Sequence, residues 1–126
     1  MKIVDYSDIY YKGILKQPVP PCRKGKFVYV VNQATQEIFF IIAPIELSKY
    51  HATIVERFCL MNKITGSYTN AKRDDFTIYD SDWQVQGGGF WKRISVKGSI
   101  EIYGSSQAYG ACDIEELRTQ ISHLTI

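Results

Sequence analysis

Cysteine is scarce and odd in number: Cys22, Cys59 and Cys112 stand at irregular spacings. Three cysteines without a Cys-x-x-Cys pair exclude a disulfide framework and read as reduced thiols in a cytosol. Histidine is scarcer still. His51 and His123 lie far apart in the sequence, so no zinc site assembles in the usual way, and neither a metal nor a cofactor is expected. No apolar run approaches the ~20 residues of a membrane span. Met1 to Tyr6 lacks the apolar core of a signal peptide, so a cytoplasmic protein that engages no membrane is expected. An excess of charge of one sign is missing too: 15 Lys and Arg face 13 Asp and Glu, a formal net charge of +2. That balance gives general nucleic-acid binding no support. Internal repeats, heptads and low-complexity tracts are absent as well.

What is present suits one globular domain spanning residues 1–126. Its 45% hydrophobic content is enough for a core without disulfides or metals, and a monomer is expected. Residues 1–25 read as an N-terminal extension, with one short strand or helix in residues 1–16 and Pro18, Pro20 and Pro21 as a linker. Strands are expected at Lys26–Asn32 and Glu37–Ala43, the second apolar enough to be covered on both faces. Pro44 suits the first turn of a helix running from Ile45 to Met61, with an apolar stripe of Leu47, Tyr50, Ile54, Phe58 and Met61. Residues 62–75 read as an exposed loop, and β-like runs follow at Phe76–Tyr79 and Trp83–Gln86. The expected fold is α/β: a single mixed β-sheet with two main helices packed on it.

The stretch from Gln86 to Leu124 carries most of the information. Gly87-Gly88-Gly89 is a run that neither strand nor helix favours, and it marks close backbone approach or unusual dihedrals. A hairpin is expected next, Phe90–Val96 and Ile100–Tyr103 around a turn at Lys97-Gly98-Ser99. The small-residue loop Gly104 to Gly110 then leads to a helix opened by a capping box, Asp113 with Glu116, and continued by Leu117, Ile121 and Leu124. Strand, small-residue loop and capped helix together suit an anion, because amides converge there and the helix dipole favours negative charge. Alone, such a loop is more often a plain connection.

The triple glycine, a ten-residue interval and then I-x-I-Y-G-S-S-Q-A-Y-G make up a combination less ordinary than either half. It resembles the 14-kDa phosphohistidine phosphatase family, also called the Janus family, over roughly residues 25 to 115. Tyr50-His51-Ala52 stands where that family carries Tyr-His-Ala. The resemblance implies the same sheet-and-helix fold and hydrolysis of a phosphorus–nitrogen bond, with His51 as general base. It also implies that the amides of His51 and Ala52 face the phosphoryl group from one side. The loop residues Ser105, Ser106, Gln107 and Ala108 would hold it from the other. Histidine suits the task because its ordinary pKa leaves a neutral fraction at pH 7. His123, near the chain end, receives no role.

The chain also departs from its relatives. Phe90 stands where they carry an Arg after the glycines, Val28 where they carry a strand Lys, and Ala43 where some carry an Arg. By side-chain alternation Lys92 shares a face with Phe90 and Lys26 with Val28, so Lys26 and Lys92 are the expected surrogate cations. Ammonium in place of guanidinium gives up a bidentate grip on phosphate. A bare Cys-x5-Arg match, Cys112 to Arg118, is rejected as a thiol-phosphatase loop. Its intervening Asp113, Glu115 and Glu116 would repel phosphate and raise the thiol pKa.

Two functions of different class follow. One is a metal-independent phosphatase of phosphohistidine or a related phosphoramidate, acting on a phosphorylated protein or a small phosphoramidate. The other is a non-catalytic anion-binding module that kept the pocket and lost the cationic clamp. A third and weaker reading has Phe90, Trp91 and Tyr109 lining a pocket for a different substrate.

Overall fold

The computed structural model describes residues 1–93 and 100–121. Five strands form one mixed sheet in the order β1-β3-β2-β6-β7: β1 Lys2–Asp5, β2 Arg23–Asn32, β3 Glu37–Pro44, β6 Trp83–Arg93 and β7 Glu101–Tyr103. β1 runs parallel to β3, and the other pairings are antiparallel. Two helices, α1 His51–Met61 and α2 Ile114–Ile121, pack on the sheet. A separate two-stranded sheet pairs β4 Gly66–Tyr68, from the region read as an exposed loop, with β5 Phe76–Ile78, where a β-like run was expected.

Strand periodicity sorts the core onto two faces. On β2 and β3, Val28, Val30, Ile41 and Ala43 face α1 and meet Ala52, Ile54, Val55 and Phe58. The alternate residues Phe27, Phe40 and Ile42 meet Trp91, Ile102, Leu117 and Ile121 on the α2 side. β3 is covered on both faces, as its apolar run implies. Burying each such large side chain is worth about 1.5–3 kcal/mol.

Several boundaries differ from expectation, each for a local reason. Pro44 ends β3 instead of opening a helix. Its carbonyl accepts from the amides of Leu47 and Ser48, both at 3.1 Å, which makes one turn that goes no further. Tyr50 is extended (φ −118°, ψ 153°), so α1 begins at His51. His51 therefore sits at the first helical position, not in mid-helix. Met61, expected in the buried stripe, is exposed at the far end. Residues 1–16 supply both a strand, β1, and a π-helical segment, Ile9–Ile14, with Tyr6 buried against the α1 side. The turn at 97–99 and Leu124 lie outside the described residues.

The glycines do not interrupt a strand; they run inside β6. Between Tyr29 and Val30 the register slips: Gly87 pairs with Tyr29 and Val85 with Val30, leaving Gln86 as a bulge. The bulge reverses which residues face α1. Trp83 and Val85 do so before it, Gly88 and Phe90 after it, while Trp91 turns to the α2 side.

Candidate active site

An open cleft of about 760 Å³ lies where the start of α1, the end of β7 and the connection between β4 and β5 meet. It is lined by Lys26, Tyr50, His51 and Phe90, by Lys72, Asp74 and Asp75, and by residues 104–108. Gly88 is what lets the parts close up. A Cβ there would stand 2.6 Å from the Phe27 carbonyl oxygen, 2.9 Å from His51 Cδ2 and 3.3 Å from Ser106 Cβ. The bulge in β6 and the missing side chain thus bring His51 and the 104–108 loop together over bare backbone.

His51 is buried, and its Nε2 donates to the Gly89 carbonyl at 2.8 Å. A carbonyl can only accept, so the proton sits on Nε2 and Nδ1 is the lone-pair nitrogen. Burial pulls the pKa below the ordinary 6.5; the Gly89 carbonyl opposes this, and the Lys26 charge adds to it. The ring is therefore a neutral base at pH 7. Tyr50, as N-cap, offers α1 no side-chain hydrogen bond, and no acidic residue stands in the first turn. The amides of His51 and Ala52 thus belong to an uncapped helix start, which favours an anion.

The opposite wall is held by a tight loop. Ser106 and Gly110 exchange two backbone hydrogen bonds, 3.1 and 2.8 Å, and Ser106 Oγ accepts from the Tyr109 amide at 3.1 Å. The Ser106 amide is therefore spent inside the loop, whereas it was expected to face an anion. Those of Gln107 and Ala108 bond to no other described residue. Gly110 holds φ at 82°, a left-handed value that glycine adopts at least cost. Tyr109 anchors the loop from behind: its hydroxyl donates to the Phe76 carbonyl at 2.7 Å and accepts from the Phe76 amide at 3.1 Å.

The two expected cations separate. Lys26 lines the cleft, its Nζ donating to the Lys49 carbonyl between the rings of Tyr50 and Phe90. Burial, then the neighbouring Lys49 charge, lowers its pKa. Val28, one step along the same face, is core. Lys92 lies outside the cleft lining and pairs with Glu101 at 3.3 Å. Of the aromatic trio, only Phe90 lines the cleft. Trp91 is fully buried on the other face with its Nε1 donating to the Ala43 carbonyl at 3.1 Å, and Tyr109 packs into the α1-side core.

The start of α2 faces elsewhere. Its Asp113 Oδ1 accepts the Glu116 amide at 3.1 Å, so it is capped by the chain's own carboxylate. It borders a separate depression with Tyr29, Gln86 and Cys112, whose thiol burial pushes up to about 11. The Cys-x5-Arg match thus marks no nucleophile.

A model of the Janus/Ocnus family matches residues 18–124. The chain belongs to the Janus/Ocnus family. No curated protein and no solved structure matches it. In this Janus/Ocnus chain the match begins after β1, which lies at the sheet edge, and after the π-helical segment. Sequence reasoning missed Lys72, Asp74 and Asp75 as cleft residues. They are brought in by the β4–β5 pairing, for which a polar stretch gives no local signal. Lys72 pairs with Asp74 at 3.5 Å.

Proposed function

We propose that the protein is a metal-independent phosphatase that cleaves the P–N bond of phosphohistidine or a related phosphoramidate. The observation that carries this reading is the Nε2 bond to Gly89, which leaves Nδ1 as the lone-pair nitrogen of a His51 ring that lines the cleft and is held toward its neutral form. In the step proposed, Nδ1 takes a proton from water as its oxygen bonds to phosphorus. The P–N bond breaks, and its electron pair leaves on nitrogen, which takes a proton from solvent water, while the proton on Nδ1 is given back to solvent to restore the neutral ring. General-base help of this kind contributes about 10²–10⁴-fold. The amides of His51, Ala52, Gln107 and Ala108 would receive the phosphoryl oxygens, with Lys26 supplying the charge. Ser106 holds the loop that presents the last two amides, and Ser105 lines the cleft beside them.

One observation favours a second reading, an anion-binding module without turnover. Phe90, an apolar ring, lies against His51 at 5.7 Å where relatives are expected to carry a cation. The test is phosphate release from a phosphohistidine peptide and from phosphoramidate in EDTA. Turnover by the wild type that His51→Ala abolishes supports the phosphatase. Binding of both compounds with no turnover by either protein supports the module.

A further inference from the structure

The contacts beside His51 form one continuous row. Lys49 Nζ lies 5.5 Å from the centre of the Tyr50 ring, and Lys26 Nζ lies 5.7 Å from that same ring. Lys26 Nζ is also 5.8 Å from the Phe90 ring, which stacks on Tyr103 at 5.6 Å and 20°. Lys92 Nζ is 5.8 Å from Tyr103. Three ammonium groups are thus set among three rings, running out of the cleft in both directions from Lys26. A π-face positions an ammonium without neutralising it. Among the described residues only Lys92 of the three has a carboxylate partner, Glu101, and that pair is exposed. Lys24, opposite Lys92 in the register, is exposed as well. The cleft's own carboxylates, Asp74 and Asp75, come from the β4–β5 connection and not from this row.

A site for a single phosphoryl group has no use for Lys49 or Lys92, which stand beyond its lining. We infer that the row is a docking track for an acidic segment of a phosphorylated protein. It grips carboxylates that flank the residue whose phosphoryl group enters the His51 cleft. The inference rests on the phosphoryl-cleaving reading of that cleft and names its substrate class. An extended peptide advances about 3.3 Å per residue, so carboxylates about two to four positions from the phosphorylated residue reach the row. Single-stranded nucleic acid fits less well, because bases need open ring faces. Each of these three rings already has two partners in the row.

The test uses two phosphohistidine peptides of equal length, one flanked by Asp and Glu and one by Lys and Arg, together with phosphoramidate. For the full chain the acidic peptide should have a KM about tenfold lower at low salt, with similar kcat, since each exposed ion pair adds a few-fold at most. The preference should shrink toward unity in 0.5 M salt, on the order of a 4 Å screening length, and in Lys49→Ala/Lys92→Ala. Equal KM for the two peptides, with phosphoramidate still cleaved, overturns the track and leaves the phosphatase standing. If nothing is cleaved, the phosphatase reading fails, and fluorescence anisotropy of the same peptides on His51→Ala decides the track. Tighter binding of the acidic peptide upholds it, and equal binding overturns it. Displacement of the peptide by oligothymidylate at lower concentration than by polyglutamate would also overturn it, in favour of nucleic acid.

Discussion

The two helices begin in opposite ways. α2 opens on Asp113, whose carboxylate takes the Glu116 amide, and carries Glu115 and Glu116 in its first turn. α1 opens on Tyr50, which caps nothing, and has no acid in its first turn. A capping box is the clearest helix-start signal a sequence offers. It also means that the chain has already answered those amides. The start that remains open to an anion carries no such signal, and it is the one that holds His51. The 104–110 loop follows the same division: it precedes α2 in the chain, yet residues 104–108 line the cleft at the start of α1.

The largest effect should come from His51. His51→Ala should lower turnover about 10³-fold through kcat, as loss of a general base does, while far-UV circular dichroism stays unchanged. Gly88→Ala attacks the bed that joins loop to helix. Its Cβ meets the Phe27 carbonyl at 2.6 Å, and backbone yields poorly, so thermal unfolding should show a loss of about 3 kcal/mol. Gly110→Ala meets nothing within 4 Å and should cost only the left-handed φ, about 1–2 kcal/mol.

Tyr50→Asp makes α1 resemble α2. A carboxylate at that N-cap should cut phosphate affinity about tenfold or more, measured by calorimetry, because it fills the place of the anion. The converse change, Asp113→Ala, should cost α2 about 1 kcal/mol in chemical denaturation and leave turnover as it was. The smallest effect is on pH. Burial holds folded His51 below 6.5, so as the pH falls the unfolded chain takes up its proton first. This contribution to stability should be complete above about pH 6.5 and decline from there toward the folded value. His51→Gln should remove that decline.

Much of this was legible because its causes are local. The apolar runs of β2 and β3 and the placing of Lys26 beside Val28 on one face follow from strand alternation. So does the shared face of Phe90 and Lys92. What was hidden depends on distant pairing. No local pattern announces that Gln86 bulges, yet that bulge turns Gly88 and Phe90 toward α1 and Trp91 away. Lys92 shares the face of Phe90 but is drawn off by Glu101 on β7. Lys72, Asp74 and Asp75 reach the cleft only because β4 and β5 pair. Pro44 shows a competing local choice, since a proline that suits a helix start equally suits a strand end followed by one turn.

The measurement that bears most directly on the account is the ¹⁵N NMR titration of His51, assigned by the loss of its signals in His51→Gln. A proton on Nε2, a lone-pair nitrogen at Nδ1 and a pKa below 6.5 are expected, with inorganic phosphate perturbing the His51 and Ala52 amides. A proton on Nδ1, or a pKa at or above 6.5 with amides indifferent to phosphate, would contradict it.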